Sequence, residues 1–375
     1  MSQIGKSDTI SLGERSFLIE TTLDDSKHYL VSRISENDHV LQTYQFPMPE
    51  NHPIEQIETD LDERHQVVLA DWELLFYIHG KVRKSLHAPS LNKLGFILMK
   101  RNLLSEAIDC FTAAIAQENQ FTEAYLNLGK AYIKAEFYEE AVESLTRALE
   151  FSPDYADLHY ALGVAFLKQH EFQKAVNRLE KAIQSNQSYS QAHFKLGLAY
   201  LISIMRNGDS TEMIPVSLRQ KKILTHLQKA IDLNHAFEQP NVHQALKEIQ
   251  DSKYKNAINL LETVELKGVD EIDDQFTEEF YLHFMFGGKG KDDKIIKEYI
   301  QHLQDKLTAQ ANYPDLHNKL GIAYLIQCRN MFLKAMEQFR LALKLNPNFR
   351  LAQKNLKLAE NEGKGFIILL RALLK

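Results

Sequence analysis

The sequence predicts a mainly α-helical solenoid of stacked helix hairpins that follows a small antiparallel β module. The solenoid is predicted by the dipeptide Leu-Gly, which recurs every 34 residues, the length of one helix-turn-helix repeat. Its four copies are Leu94-Gly95, Leu128-Gly129, Leu162-Gly163 and Leu196-Gly197. The β module is predicted by short segments of β-branched and aromatic residues near the start of the chain.

Residues 1–60 contain the β-rich segments. Residues 17–22, 28–34 and 40–46 are separated by Asp24-Asp25-Ser26 and by Glu36-Asn37-Asp38, which are turn-forming residues. The pattern predicts a three-stranded antiparallel meander. Because three short strands alone are only marginally stable, we expect this sheet to pack on another element.

Residues 61–87 are expected to form a connecting helix. Apolar residues recur there at helical spacing, among them Val68, Trp72, Leu75 and Val82. Trp72 is the only tryptophan of the chain. Since large aromatic residues usually contribute to packing, we interpret Trp72 as a core residue between the sheet and the helices that follow.

The repeat array is predicted over residues 88–349, regular in 88–200 and 314–349 and divergent, with insertions, in 201–313. In each of the first three units an alanine lies twelve residues after the glycine, and a large residue follows four positions later. Small residues let two helix axes approach closely, while the large ones fill the space between them. These residues are Ala107, Ala141 and Ala175, followed by Phe111, Leu145 and Leu179. The pattern returns at Leu320-Gly321.

This succession of Leu-Gly, Tyr, Ala, Phe, Ala and Pro resembles the tetratricopeptide repeat. The resemblance implies a right-handed superhelix in which the first helix of each hairpin lines a concave surface. The chain is also similar to uncharacterised bacterial proteins in which a short β-rich segment precedes such an array. The family is composed mainly of non-catalytic proteins that bind other polypeptides, so the resemblance implies a scaffold or adaptor.

The family's groove-facing positions assign a candidate partner-binding surface. The set is unusually apolar for an exposed face, and a large apolar surface usually marks a binding site. We therefore expect a partner helix or peptide to lie there; the alternative is that another part of this chain fills the groove. The assigned residues are Asn92, Phe96, Met99, Leu126, Lys130, Ile133, Lys134, Tyr160, Val164, Leu167, Lys168, Phe194, Leu198 and Leu201.

Residues 350–375 are predicted to form a capping helix followed by an apolar tail. At eleven residues, segment 365–375 is too short to span a bilayer. The tail either packs on the preceding helices, docks on another protein or protomer, or lies at a membrane surface. The last option is the least favoured, because the segment has almost no charged face. The candidate docking residues are Phe366, Ile367, Leu370, Leu373 and Leu374.

Two functions remain open at this point. The first is the adaptor; the alternative is a structural protein that self-assembles through the tail and the open edge of the sheet. The net charge of −6 argues against nucleic-acid binding. The two cysteines, Cys110 and Cys328, favour a reducing, cytoplasmic compartment. We expect neither catalytic nor metal-ligating residues nor a cofactor, and interpret His159, His193 and His317 as packing residues.

Overall fold

The structure is a computed structural model that describes residues 5–24, 28–48, 54–207, 214–264, 272–287, 293–309, 314–345, 347 and 350–373. Four strands come first: β1 (Gly5–Leu12), β2 (Arg15–Leu23), β3 (Tyr29–Glu36) and β4 (His39–Pro47). All other regular elements of the described residues are helical. By its internal contacts the chain divides into two units, Met1–Phe276 and Thr277–Lys375.

The strands form an antiparallel meander in the order β1-β2-β3-β4. The antiparallel module is therefore confirmed, but the prediction of three strands is wrong. Strand β1 is mostly polar, and of its residues only Ile10 is buried, so it lacks the alternation that marks a half-buried strand. Strand β1 forms because it pairs with β2. The turn between the two strands contains Gly13, which has a φ of 62°.

One long helix, α1 (Ile54–Ser85), packs against the sheet. Trp72 on α1 is completely buried, with its ring centroid 6.2 Å from that of Phe17 in β2. From the other side the guanidinium of Arg101 lies 5.5 Å from the Trp72 ring centroid and pairs with Asp71 at 2.7 Å. Trp72 thus packs between the sheet and the helical array, as the sequence indicates.

Three helix hairpins of equal period follow α1. They are α2 (Ala88–Lys100) with α3 (Leu104–Gln117), α4 (Thr122–Lys134) with α5 (Tyr138–Leu149), and α6 (Ala156–Lys168) with α7 (Phe172–Ser185). Each hairpin turns at a residue in the left-handed region: Asn102, Glu136 or His170, with φ of 59°, 64° and 63°. The next backbone N–H then donates 2.9 Å to a carbonyl of the first helix, which satisfies an otherwise unpaired helix end.

The Leu-Gly glycines are the points where the two helices of a hairpin come closest. A Cβ placed on Gly95 would lie 2.7 Å from the ring of Phe111, and one on Gly163 would lie 2.6 Å from Leu179 Cγ. Gly129 faces Leu145 in the same way. The absence of a side chain is therefore required by close packing.

The fourth and fifth hairpins depart from the regular period. The fourth comprises α8 (Ser190–Asn207) and α9 (Val216–Leu233), and the fifth α10 (Pro240–Gln250) and α11 (Tyr254–Glu262). The fourth keeps the glycine contact, since a Cβ on Gly197 would lie 3.0 Å from Leu227. Helix α11 packs against α8 as well as against its own partner α10. In the first three hairpins the second helix packs instead on the first helix of the following hairpin.

Four helices follow: α12 (Ile272–Met285), α13 (Asp293–Ala309), α14 (Pro314–Leu345) and α15 (Arg350–Leu373). The second unit has its own core, in which the rings of Phe280 and Tyr299 stack at 4.0 Å. Residues 314–345 form one continuous helix, so the helix hairpin that the repeat pattern predicts there is wrong. The physical reason is the absence of a turn: the residue aligned with Asn102, Glu136 and His170 is Cys328, which is helical.

Candidate functional site

The residues assigned to the groove lie on the first helices of the hairpins, α2, α4, α6 and α8, but they differ in exposure. Half of them are partly or well exposed, and these can contact a partner. They are Phe96, Lys130, Ile133, Lys134, Tyr160, Val164 and Lys168. The other half are buried and belong to the packing of the array. They are Asn92, Met99, Leu126, Leu167, Phe194, Leu198 and Leu201.

Asn92 and Leu126 serve the joints between hairpins. The Asn92 amide donates to Glu123 Oε1 at 3.0 Å and its Oδ1 accepts from the amide of Asn127 at 3.0 Å. Leu126 is packed in a core cluster with Leu158 and Leu162. Both residues hold α2, α4 and α6 together.

The fourth hairpin does not present the open surface that the sequence predicts. Phe194 is 1% exposed and Leu201 completely buried. The Phe194 ring stacks on Phe237 at 5.0 Å, and the same core includes Ile249 and Leu261 from α10 and α11. This core buries most of the surface of Phe194, Leu198 and Leu201, so these residues do not form the exposed wall that the sequence predicts.

Two cavities open along the first helices, and they meet at Val164. The smaller, about 290 Å³, lies between α2, α4 and α6 and is lined by Met99, Ile133 and Tyr160 together with lysines. The larger, about 770 Å³, lies between α6, α8 and α11. Because Val164 lines both, the two cavities are neighbours, and we call them together the trough. Of the assigned residues, Phe96, Asn92, Leu126 and Leu201 line neither cavity.

The trough is basic although the chain as a whole is acidic. Lys100, Lys130 and Lys134 line the smaller cavity, which has no acidic lining residue among those the structure describes. Lys168, Lys195, Arg206 and Lys255 line the larger cavity, with Glu262 as its one described acidic residue. An excess of one charge in a concave site attracts partners of the opposite charge.

Some of these lysines also have structural roles. Lys100, Lys134 and Lys168 are the last residues of α2, α4 and α6, where a cation interacts favourably with the helix dipole. The Lys134 ammonium donates to the Met99 carbonyl at 2.9 Å, and that of Lys100 lies 5.2 Å from the Phe96 ring centroid. Lys195 lies in mid-helix, where the dipole offers no such stabilisation. Burial lowers the pKa of Lys195, as does the charge of Lys168, while Glu262 opposes them.

A histidine pair lies in the packing of the fourth hairpin. His193 Nδ1 is 3.0 Å from His226 Nδ1, so one ring donates and the other accepts. The pKa of His226 is lowered to about 4, mainly by burial. The charges of His193 and Lys222 lower it further. His193 Nε2 also approaches the Gln187 carbonyl at 3.3 Å, and His159 Nε2 approaches the Pro153 carbonyl at 2.8 Å. Both rings serve as buried packing residues that bond to the preceding turn.

A second polar cluster joins the sheet to α1. His65 contacts Asp8 Oδ2 through Nε2 at 3.0 Å and Thr21 Oγ1 through Nδ1 at 2.9 Å, and Thr21 lies 2.8 Å from Ser32. The cluster contains the residue types of an acid, a base and a hydroxyl nucleophile. Thr21, Ser32 and His65 are nevertheless completely buried, so no substrate reaches the hydroxyl groups. We assign this cluster to holding α1 on β1, β2 and β3.

Two family models match this chain. One, described as TPR repeat, matches residues 137–170, and one described as Tetratricopeptide repeat matches residues 160–203. The matches cover residues 137–203, within the period-34 hairpins and their glycine contacts. This part of the chain carries tetratricopeptide repeats.

Solved structures with similarity to this chain include other repeat proteins. MamA is 24% identical over 45% of this chain and 91% of its own, with a TM-score of 0.35. YrrB, described as a TPR protein with an unusual peptide-binding site, is 15% identical over 58% and 94%, with a TM-score of 0.36. TTC0263 of Thermus thermophilus, a thermophilic TPR protein, is 17% identical over 64% and 99%, with a TM-score of 0.36. No curated protein matches the chain.

The tetratricopeptide pattern did not identify the residues that α11 contributes to the trough. Lys255, Leu261 and Glu262 line the larger cavity because α11 packs on α8, and the family positions assign nothing to a second helix. The alanine and leucine spacing of Ala257 and Leu261 predicts α11 but not where it docks.

In the described part of the chain no helix is long and apolar enough to cross a bilayer. There, too, no three His, Cys, Asp or Glu side chains are grouped to hold a metal ion.

The predicted docking tail is described only as backbone. Helix α15 continues without interruption to Leu373, so Phe366, Ile367, Leu370 and Leu373 are helical. Their side chains and Leu374 lie outside what the structure describes. The docking role of the tail stays a prediction.

Proposed function

We propose that this protein is a non-catalytic adaptor that binds a helix or extended peptide of another protein in the trough. The observation that carries the proposal is the row of incompletely buried side chains that line the trough on successive first helices: Ile133 on α4, and Tyr160 with Val164 on α6. Side chains on one face of parallel helices offer evenly spaced contacts to a bound segment. The tetratricopeptide repeats support the same class of function.

The rigidity of the first helices supports the proposal. The close glycine contacts and the repeated hydrogen-bonded turns fix the helices that carry these three residues. A preorganised surface loses little conformational entropy when it binds a partner, so more of the contact energy appears as affinity.

The test uses the full chain with a photo-reactive benzoylphenylalanine in place of Tyr160, which lines the smaller cavity, expressed in its own host cell. Phe137, 52% exposed immediately before α5 and absent from both trough linings, is the matched control position. We expect a defined cross-linked partner from position 160 and none from position 137. Equal cross-linking from both positions, or none from position 160, would contradict the proposal.

A substitution in the trough provides the second arm. Val164→Asp replaces an apolar contact by a charged, hydrated side chain where the two cavities meet, and should abolish the cross-link. The control is Val67→Asp on α1, because Val67 is 59% exposed and lines neither cavity. Phe194 is unsuitable for such a test: at 1% exposure, Phe194→Asp would disrupt the core instead of the surface.

A further inference from the structure

The larger cavity of the trough combines an apolar floor with a cationic rim. Its floor includes Leu167, Leu198 and Leu261, each less than 10% exposed, from α6, α8 and α11. The side chains of Lys168 and Lys195 line the same cavity. An apolar surface next to fixed charges suits an amphipathic ligand that presents both kinds of group.

The ammonium groups of Lys168 and Lys195 have no hydrogen bond or ion pair within the part of the chain that the structure describes. Lys222, on the other side of the fourth hairpin, shows the usual arrangement: it donates to Glu180 Oε1 at 3.0 Å and to Tyr200 Oη at 3.0 Å. These bonds raise the pKa of Lys222 against the effect of burial. Lys195 instead lies near the Phe194 ring, at 5.8 Å from its centroid, and its pKa is lowered.

An unpaired, partly buried lysine beside a second lysine is costly for the folded chain. Burial disfavours the charged form, and the like charge adds repulsion. A methionine at position 195 would cover the same floor without either cost. A carboxylate placed between the two ammonium groups would remove the repulsion and form charge-assisted hydrogen bonds.

We propose that the trough selects an acidic amphipathic peptide segment, whose apolar side chains enter the cavities and whose Asp or Glu side chain is held by Lys195 and Lys168. The inference rests on the proposed function and adds the chemical class of the partner. A peptide is favoured over a small anion because the basic lining continues past Val164 along Lys100, Lys130 and Lys134. The positive charge of the trough lining is opposite in sign to the chain's net charge of −6, so it is not a consequence of composition.

The experiment selects a phage-displayed library of random peptides, about 16 residues long to match roughly four helical turns, on the immobilised full chain. The same selection is run in parallel on the Lys168→Met, Lys195→Met double variant. The control is Lys174→Met, a lysine on α7 that is exposed and outside the trough. Peptides from each selection are sequenced, and individual affinities are measured by fluorescence anisotropy. Thermal unfolding of all three proteins is recorded.

We expect the wild-type and Lys174→Met selections to be enriched in Asp and Glu next to apolar residues, and the double variant to lose this enrichment. The selected acidic peptides should bind the double variant at least about tenfold more weakly. The double variant should unfold at nearly the same temperature as wild type, because removal of the unpaired Lys195 charge offsets the helix-dipole interaction that is lost at Lys168.

The other outcomes separate this inference from the proposed function. If the selected peptides are apolar, lack acidic enrichment and no longer bind the Val164→Asp variant, the role of Lys168 and Lys195 in binding a carboxylate is overturned. The adaptor function would then still stand. No enriched peptide from any selection would overturn both. A double variant with a clearly lower unfolding temperature and unchanged peptides would assign the two lysines a structural role and overturn the inference.

Discussion

The same Leu-Gly motif has two different structural outcomes in this chain. In the hairpins of α2 to α9 the glycine touches the partner helix, and a Cβ at Gly163 would collide with Leu179. In α14 the surroundings of Gly321 contain no atom within 4 Å of such a Cβ. The dipeptide therefore does not specify the hairpin by itself. The hairpin also requires a second helix that packs against the glycine.

The turn residues lead to the same conclusion. Glu136 and His170 adopt positive φ, which is unfavourable for a residue with a side chain, and the cost is offset by the helix-end hydrogen bonds and the packing that follow. The aligned Cys328 stays helical. Residue type at this position thus cannot distinguish a turn from a continuous helix, whereas complementary packing of the two helices can.

The largest expected contrast comes from the residue that faces the glycine. Leu179 is completely buried, whereas Phe339, at the equivalent repeat position in α14, is only partly buried. Leu179→Ala should lower the free energy of unfolding by about 2–5 kcal/mol, and Phe339→Ala by about 1 kcal/mol or less. Because the two units need not unfold together, hydrogen exchange within each unit is the measurement. Similar losses at both sites would contradict the comparison.

The second contrast tests the close approach directly. Gly163→Ala should destabilise the array by about 1–3 kcal/mol, since the new methyl group overlaps Leu179. Combined with Leu179→Ala, the same change should cost much less, because the obstructing side chain is gone. Urea unfolding of the two single variants and the double variant gives this coupling energy. Strict additivity of the two costs would show that Leu179 is not the obstructing group.

Sequence reasoning predicted the hairpins correctly where helix period, glycine and alanine agree. It missed β1, whose residues are polar and which forms by pairing with β2. It assigned Phe194 and Leu201 to an exposed wall because family positions cannot show that α10 and α11 fold back over α8. That docking depends on distant contacts, such as the stacking of Phe194 on Phe237, which no local pattern encodes. For the same reason Lys195 was not among the assigned site residues.

The next contrast concerns pH and the histidine pair of the fourth hairpin. The pKa of His226 is lowered to about 4 in the folded chain from an ordinary value of 6.5. Between these values the unfolded chain binds the extra proton, so stability is lost as pH falls from about 6.5 towards 4. We expect a loss on the order of 1–2 kcal/mol, discounted for the partial exposure of the ring. His226→Gln should flatten this dependence.

Local hydrogen exchange, compared between about pH 7 and pH 5 on either side of the ordinary histidine pKa, locates this effect. Once the rates are corrected for the intrinsic pH dependence of amide exchange, protection should fall at pH 5 in α8 and α9, whose packing contains His193 and His226 at 3.0 Å. A uniform loss of protection over both units of the chain would assign the pH dependence to groups other than this pair.

The smallest expected effect has the opposite sign and tests α14 directly. Gly321 lies inside a continuous helix with open space around it, where glycine is a poor helix former. Gly321→Ala should therefore stabilise the second unit by up to about 1 kcal/mol, whereas Gly163→Ala destabilises the first. Thermal unfolding combined with hydrogen exchange of α14 measures the change. A loss of stability at Gly321 comparable to that at Gly163 would mean that a second helix returns over this glycine after all. Residues 314–349 would then form the hairpin that their sequence pattern predicts.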